Sequence, residues 1–276
     1  MRAPILIEDP DDPRIADYRQ VRERDLAGRG GGFIAEGVVV VEKLLAGGRH
    51  PIRSVLVAEK RVAGLAPRLA GLAAGVEVYA AAQPVMDAIV GFPIHRGVLA
   101  AGTRAEPDLE TLLAGLPQTA LVVGLVGIAN HDNMGGLFRN AAAFGADAVV
   151  IDADCCDPLY RKAIRVSVGA ALTLPFARSG KGADLAARLQ AAGFSVAALS
   201  PRGEIALGEL SRSPRTAVLF GAEGPGLPAS VMASVRTVRI EMAGGFDSLN
   251  VATASGVVLH HLVANPHGCT GARGLS

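Results

Sequence analysis

The sequence predicts an α/β protein of two domains, and three observations lead to that prediction. The chain has 276 residues, the length of about two domains at roughly 150 residues each. Short apolar runs alternate with helical patterns along the chain. A segment rich in proline and acidic residues, at 103–117, separates two apolar regions. We therefore expect a small α/β domain at 1–104 and a second domain, built on a parallel sheet, at 105–276.

The first domain is predicted from short strand candidates that alternate with helical patterns. The strand candidates lie at 54–58, 76–79 and 97–101, and the helical patterns at 35–46 and 84–90. The sequence FIAEG at 33–37 leads directly into the first of these helices.

The second domain is predicted from continuous apolar runs with helical segments between most of them. The runs lie at 121–126, 148–151, 195–199, 217–220 and 237–240. Strands buried on both faces have such runs, so a parallel sheet covered by helices is expected. Ligands of these sheets bind beyond the carboxyl ends of the strands. The loops that follow the strands are therefore the candidate functional segments.

Composition excludes several classes of protein. Half of the residues are hydrophobic and 19% are charged, which is globular rather than disordered or collagen-like composition. Three cysteines without CxxC spacing exclude a disulfide framework and a zinc ribbon. The neighbours His260 and His261 lack the i, i+4 spacing of helical metal ligands, so no metal is expected. The adjacent Cys155 and Cys156 carry no nucleophile signature and are expected to be buried or idle thiols.

Charge and hydropathy give a second set of expectations. The net charge is +1, so global basicity offers no argument for nucleic acid. Five arginines between 14 and 29 are interleaved with acidic residues, which favours a salt-bridged helix face over a phosphate-binding one. The longest apolar stretch is about half of a membrane span, and the N-terminus turns acidic before an apolar leader could form. We expect a cytoplasmic protein without a membrane segment.

The loop after the 121–126 strand is the first candidate site. Asn133 is a plausible N-cap of a helix that stops at Gly145. Two glycines in its first turn, Gly135 and Gly136, cost about 1–2 kcal/mol relative to alanine, which suggests a close approach to the backbone. Arg139 is suited to a phosphate, but an arginine that reaches the surface fits the local sequence equally well.

The second and third loops follow the 217–220 and 237–240 strands. The second, at 221–228, combines three glycines and two prolines with Glu223, and it matches neither GxGxxG nor a P-loop. In the third, Ser248 is a candidate N-cap for a helix at 251–263. Ser248 and Asn250 are frequent capping types, so a functional role for them depends on the other two loops.

Together the three loops resemble the SpoU (TrmH-like) family of RNA ribose 2′-O-methyltransferases, in the SPOUT superfamily, over residues 121–264. The first family motif is matched by Asn133, Gly135 and Arg139. The second is matched by Gly221, Glu223, Gly224, Gly226 and Leu227, and the third by Ser248, Leu249, Asn250 and Val251. The first domain is similar, less specifically, to the substrate-binding domain that often precedes this catalytic domain.

The resemblance implies a methyl donor, S-adenosylmethionine, and a ribose 2′-OH of tRNA or rRNA as the acceptor. It also implies a knotted, trefoil catalytic domain and a homodimer. The implied cofactor pocket consists of Leu219, Gly221, Gly226, Ile240, Met242 and Leu249. The implied catalytic residues are Arg139, Asn133, Glu223, Ser248 and Asn250.

The family's proposed base is Arg139, yet a guanidinium is effectively always protonated. We therefore favour Arg139 as the ligand of the phosphate beside the target ribose, which also stabilises the developing alkoxide. Asn133 is expected to orient Arg139, and Ser248 and Asn250 to hold the loop or the nucleotide. Glu223 is expected to support the cofactor loop, with Arg139 as a candidate partner.

Two departures and two alternatives accompany this interpretation. His131 lies within the place of the usual Asp-Pro-Gly and could alter substrate contacts. Glu241 replaces the usual proline and could alter the cofactor loop.

A noncatalytic RNA-binding dimer of the same fold and a small-molecule enzyme are the competing functions. In a dimer, Arg161, Lys162 and Arg165 could lie beside the partner's pocket, or they form an ordinary solvated face.

Overall fold

The computed structural model describes residues 3–19, 31–91, 93–94, 96–244 and 247–265. Its contacts divide the chain into two compact units. The first unit contains Met1–Ala105 and Pro158–Thr173, and the second contains Glu106–Asp157 and Leu174–Ser276. Residues 158–173, which the sequence-based boundary assigns to the second domain, thus pack with the first unit.

The strands and helices alternate along most of the chain. The strands are β1 (Ile5–Ile7), β2 (Gly32–Glu36), β3 (Ile52–Ala58), β4 (Glu77–Ala81), β5 (Val98–Thr103), β6 (Ala120–Val126), β7 (Ala148–Ile151), β8 (Phe176–Arg178), β9 (Ser195–Leu199), β10 (Ile205–Ala206), β11 (Arg215–Gly221) and β12 (Arg236–Arg239). The helices are α1 (Val38–Gly47), α2 (Glu59–Leu69), α3 (Gln83–Val90), α4 (Leu109–Ala114), α5 (His131–Ala143), α6 (Arg161–Val166), α7 (Ala170–Thr173), α8 (Gly182–Ala191), α9 (Ala229–Met232) and α10 (Val251–Ala264). Short 3-10 helices lie at Pro13–Tyr18 and Leu207–Glu209.

The first unit is built on a mixed sheet with the strand order β1-β4-β3-β5-β2. β5 runs antiparallel to both β2 and β3, and the other pairs are parallel. The predicted helix at 35–46 is wrong at its start, because residues 35 and 36 belong to β2. Gly37 separates the two elements with a φ of +99°, a conformation that glycine adopts without strain.

An ion pair fixes the segment 158–173 within the first unit. The carboxylate of Glu36, on β2, accepts a hydrogen bond from Arg161 Nε at 2.9 Å, and Arg161 Nη2 lies 2.9 Å from the same oxygen. Both side chains are largely buried. Arg161 therefore serves the packing of α6 on β2, whereas Arg165 on the same helix is exposed.

The arginines near the N-terminus form local ion pairs where the structure describes them. Arg14 pairs with Asp12 and Arg19 with Asp11. The sequence predicts a salt-bridged helix face here, and these pairs lie in and beside the short 3-10 helix Pro13–Tyr18. Arg22, Arg24 and Arg29 lie outside the described residues.

The second unit is a parallel sheet with the strand order β10-β12-β9-β11-β6-β7-β8, which confirms the predicted fold class. β6 and β11 lie at its centre, and every residue of β6 is buried. Gly124 pairs with Leu219, and a Cβ on Gly124 would meet the Leu219 side chain. The absence of a side chain at 124 thus gives Leu219 its place in the core.

Candidate functional site

The first and second candidate loops begin at the same level of the sheet. The last residues of β6 and β11, Val126 and Gly221, are paired in the parallel register. The loop after β6 leads into α5, and the loop after β11 contains Glu223. The third loop follows β12, which is separated from β11 by β9, yet the helix after it, α10, packs against α5.

The first loop ends in a cap that differs from the prediction. Asn130, not Asn133, is the N-cap of α5: its Oδ1 accepts hydrogen bonds from the backbone N–H groups of Asp132 at 2.7 Å and Asn133 at 3.3 Å. Asn133 lies in the first turn with 7% of its surface exposed. Its side chain is therefore available for a contact outside its own helix.

The second loop is a tight turn that projects Glu223. The backbone N–H of Gly226 donates to the carbonyl of Ala222 at 3.0 Å. Gly224 and Gly226 have φ angles of +83° and +70°, which favour glycine. A Cβ on Gly221 would lie 2.5 Å from the Leu227 nitrogen, so the turn closes only because residue 221 has no side chain.

The third loop also ends in a cap that the prediction placed elsewhere. Asn250, not Ser248, caps α10, and its Oδ1 accepts from the backbone N–H groups of Ala252 at 2.9 Å and Thr253 at 3.2 Å. Ser248 is exposed and makes no hydrogen bond with the residues that the structure describes.

The side chain of Asn250 joins all three loops. Its Nδ2 donates to Asn133 Oδ1 and to Glu223 Oε1, both at 2.9 Å. A primary amide has two N–H donors and one oxygen with two acceptor sites. With the two capping bonds, Asn250 uses all of this capacity. Three of the five predicted catalytic residues are thus brought into direct contact.

A close helix crossing supports this contact. A Cβ on Gly136 of α5 would lie 2.7 Å from the Cβ of Ala252 on α10. One turn further along α5, Asn140 Nδ2 donates to the Ala252 carbonyl at 2.6 Å and to Ser255 Oγ at 2.9 Å. Sequence analysis did not identify Asn140, although its spacing of seven from Asn133 places both residues on one face of the helix.

Arg139 precedes Asn140 on α5 and is exposed. Among the described residues it makes no hydrogen bond and no salt bridge. The expected contacts of Arg139 with Asn133 and Glu223 are not formed here, and both of these side chains accept hydrogen bonds from Asn250 instead. The structure thus presents a guanidinium with all of its donors available, on the helix that carries Asn133.

The predicted cofactor residues lie on the second and third loops and on the strands before them. Leu219 is buried in the sheet, and Gly221 and Gly226 shape the glycine turn. Ile240 and Met242 are half-buried, and Leu249 is 42% exposed. Ile240, Met242 and Leu249 therefore offer apolar surface, and the second loop offers a glycine backbone.

Of the two departures from the family pattern, His131 directly follows the first loop, and Glu241 lies near the start of the third. His131 is the first residue of α5 and is half-buried. Glu241 is exposed, and its Oε1 lies 3.9 Å from Arg239 Nη2. Arg239 in turn donates to the carbonyls of Gly203 and Glu204.

The two cysteines after β7 are buried or half-buried. Burial, reinforced by the charge of Asp152, raises the pKa of Cys155 to about 12, and burial raises the pKa of Cys156 to about 11. Both thiols therefore stay protonated near neutral pH. Within the described ranges, no group of three or more His, Cys, Asp or Glu side chains could hold a metal ion, and no helix is long and apolar enough to cross a membrane.

Comparisons with known proteins identify the family. The profile of the SpoU rRNA Methylase family matches residues 120–260. An "uncharacterized tRNA/rRNA methyltransferase" of Mycobacterium tuberculosis is 41% identical over 94% of this chain and 91% of its own length. A 23S rRNA (guanosine-2'-O-)-methyltransferase of Acinetobacter baylyi is 31% identical over 67% of this chain and 77% of its own.

A solved structure shares the fold. The AdoMet-bound rRNA methyltransferase from Sinorhizobium meliloti superposes with a TM-score of 0.80 at 24% identity, covering 93% of this chain and 96% of its own. The sequence matches extend over the three loops whose side chains meet at Asn250. This protein is a member of the SpoU rRNA methylase family.

Proposed function

We propose that this protein transfers a methyl group from S-adenosylmethionine to a ribose 2′-OH of tRNA or rRNA. One observation carries the proposal: the hydrogen bonds from Asn250 to Asn133 and Glu223 join three loops at the carboxyl end of a parallel sheet. That edge is where such sheets bind ligands. The tRNA/rRNA methyltransferase and 23S rRNA 2′-O-methyltransferase relatives support the same reaction.

The residues of the second and third loops fit an adenosyl group. Small-molecule sites combine apolar walls with a few placed polar groups. Here Ile240, Met242 and the 42%-exposed Leu249 supply apolar surface, and the glycine turn presents backbone groups with open space beside Gly224 and Gly226. The Glu223 carboxylate complements a positive sulfonium. When bound, S-adenosylmethionine supplies a methyl group on a sulfonium that is already a good leaving group.

The protein's task is then to align the acceptor oxygen and to stabilise the charge that develops on it. Alignment of two reactants can lower a barrier by about 7–11 kcal/mol. Arg139 is exposed, and its donors are available, so it can bind the phosphate beside the target ribose and donate a hydrogen bond to the developing alkoxide. Asn133 and Asn250 fix the start of α5, the helix that carries Arg139.

The remaining features of the proposal concern assembly and substrate. The first unit is proposed to bind the RNA, and the active form is proposed to be a homodimer in the cytoplasm. A trefoil knot is proposed for the second unit. It is supported by the chain's course from β12 to α10, since α10 packs on α5 although β12 lies outside β9 and β11.

The test measures transfer of labelled methyl groups to RNA from cells that lack this protein. Product RNA is hydrolysed with alkali, which leaves 2′-O-methylated positions uncleaved. Label in alkali-resistant dinucleotides is the expected result. Label confined to bases, or no label with every RNA class, would contradict the proposal, and RNA binding without S-adenosylmethionine binding would favour the noncatalytic alternative.

The Arg139→Ala variant tests the role of the guanidinium. Loss of a group that stabilises transition-state charge lowers kcat by about 100-fold or more. The matched control is Arg202→Ala, which removes an exposed arginine from the same unit and is expected to keep the wild-type rate. Full activity of Arg139→Ala would exclude Arg139 from the reaction.

A further inference from the structure

The carboxyl group of Asp152 is buried beside the first loop and has no place in the mechanism above. Asp152 directly follows β7 and is 1% exposed. Its Oδ1 accepts hydrogen bonds from the backbone N–H groups of Gly127 at 3.0 Å and Asp154 at 3.2 Å. Burial of a carboxyl group is costly unless such bonds are formed, so the side chain is committed to the turn after β6.

Cys155 makes a second set of bonds to the same turn. Its Sγ accepts from the backbone N–H of Ile128 at 3.3 Å and donates to the carbonyl of Leu125 at 3.4 Å. The donor role requires a protonated thiol, which agrees with the pKa of about 12. The backbone adds a bond from the Cys156 N–H to the Ile128 carbonyl at 2.8 Å.

The turn held in this way begins the first loop and lies against the second. Gly127 has a φ of +67°, and a Cβ on it would lie 3.5 Å from the Cβ of Ala222, the residue before Glu223. Three residues after Gly127, Asn130 caps α5, and three residues later Asn133 meets Asn250. A shift of the turn would therefore move both asparagines and the start of α5.

We infer that Asp152 and Cys155 are positioning residues for methyl transfer, which hold the 127–130 turn so that Asn133 and Arg139 are correctly placed. The inference rests on the proposed function for its kinetic part. Its structural part, the immobilisation of the turn by these two side chains, can be tested without catalysis.

The test compares hydrogen exchange of the peptide 126–134 in the full-length protein and its variants. Asp152→Ala removes the acceptor of the Gly127 N–H, and Cys155→Ala removes that of the Ile128 N–H. Exchange at the affected amide is expected to accelerate at least about tenfold in each variant. Cys155→Ser and Asp152→Asn keep an acceptor at each position and are expected to restore slow exchange. The control is Cys156→Ala, which alters the neighbouring thiol but leaves its backbone bond to Ile128 in place.

Kinetics then distinguish a positioning role from general destabilisation. A misplacement of about 1 Å can cost about 100-fold in rate, so kcat of the two alanine variants is expected to fall at least about tenfold. The dissociation constant of S-adenosylmethionine, measured by calorimetry, is expected to stay within about twofold, because its proposed loops are 221–228 and 240–250. The serine and asparagine variants are expected to recover kcat.

Several outcomes would overturn the inference. Unchanged exchange in both alanine variants, or exchange in Cys155→Ser as fast as in Cys155→Ala, would show that these side chains do not hold the turn. Faster exchange with unchanged kcat would show that the turn is held but does not position the reaction. A wild-type protein without methyl transfer would refute the proposed function, while the exchange measurements would still decide the structural part.

Discussion

The amide nitrogen of Asn250 lies 2.9 Å from Oδ1 of Asn133, a residue 117 positions earlier in the chain. The same nitrogen donates to Glu223, and the amide oxygen caps α10. One side chain therefore couples the start of one helix to the start of another and to the glycine turn between them. This contact links the three loops at a single side chain.

Replacement of Asn250 separates its capping role from its long-range contacts. Asn250→Ser keeps an N-cap hydroxyl, but its side chain is too short for Asn133 and Glu223, whereas Asn250→Ala loses both functions. Loss of a cap costs about 0.5–2 kcal/mol, so the alanine variant is expected to be less stable than the serine variant. Both are expected to lose at least about tenfold in kcat. Thermal unfolding by circular dichroism and methyl transfer measure the two effects.

A serine variant with the wild-type rate would contradict this prediction, because it would show that the contacts with Asn133 and Glu223 do not contribute to the reaction. Ser248→Ala is the matched control for the cap, since Ser248 is exposed and does not cap α10. It is expected to leave the unfolding temperature unchanged.

The central strands of the second unit were predictable because their sequences carry the information locally. Strands buried on both faces consist of continuous apolar residues, and the predicted strand at 148–151 coincides with β7. The last of the predicted runs includes Ile240, whereas β12 ends at Arg239. The loops that contain Asn133, Glu223 and Asn250 could be located from the ends of these strands.

The caps could not be predicted in the same way, because several residues in each loop are good caps. Asn130 and Asn133 have equal intrinsic preference for an N-cap. In the structure Asn130 caps α5, and the Asn133 side chain is bound by Asn250 from another loop, a contact that the local sequence does not reveal. Short strands were missed for a related reason: β1, β8 and β10 contain only two or three residues, too few for a recognisable pattern.

The segment 158–173 shows a third limit of sequence analysis. The sequence-based boundary assigns it to the second domain, whereas it packs with the first unit, in which Arg161 pairs with Glu36. The partners are 125 residues apart, and nothing in either local sequence indicates the pairing.

Gly136→Ala tests the close crossing of α5 and α10. The added Cβ would lie 2.7 Å from that of Ala252, so the helices must separate, at a cost of about 1–3 kcal/mol. The control is Gly64→Ala on α2, where a Cβ meets nothing within 4 Å. Alanine gains about 1 kcal/mol over glycine in a helix interior, so the two substitutions are expected to shift the unfolding temperature in opposite directions. A stabilised Gly136→Ala variant would refute the close crossing.

Asn140 and Ser255 provide a double-mutant cycle at the same crossing. Both side chains donate to the carbonyl of Ala252, and Asn140 also donates to Ser255. Each single alanine variant is expected to lose about 0.5–1.5 kcal/mol of stability. Because the groups share partners, the double variant is expected to deviate from additivity by at least about 0.5 kcal/mol. Denaturant unfolding of the four proteins measures the coupling, and strictly additive losses would show that the Asn140 and Ser255 side chains are not coupled.

His50 gives the first unit a predicted dependence of stability on pH. The ring packs edge-on against Phe33, and Nδ1 accepts a hydrogen bond from the Ala105 N–H at 3.1 Å. Burial, followed by the charges of Arg49 and Arg104, lowers the pKa of His50 from 6.5 to about 4. Between these values the unfolded chain binds more protons than the folded chain, so stability is lost as the pH falls from about 6.5 to about 4.

At pH 5 the lowered pKa of His50 reduces the free energy of unfolding by about 2 kcal/mol relative to neutral pH. The three tyrosines, Tyr18, Tyr79 and Tyr160, all lie in the first unit, and the chain has no tryptophan. Tyrosine fluorescence in urea therefore reports the unfolding of this unit. His50→Asn keeps an acceptor but does not titrate, so its unfolding midpoint is expected to fall less between pH 7 and pH 5 than that of the wild type. Equal decreases in the two proteins would show that His50 is not the group whose protonation destabilises the fold.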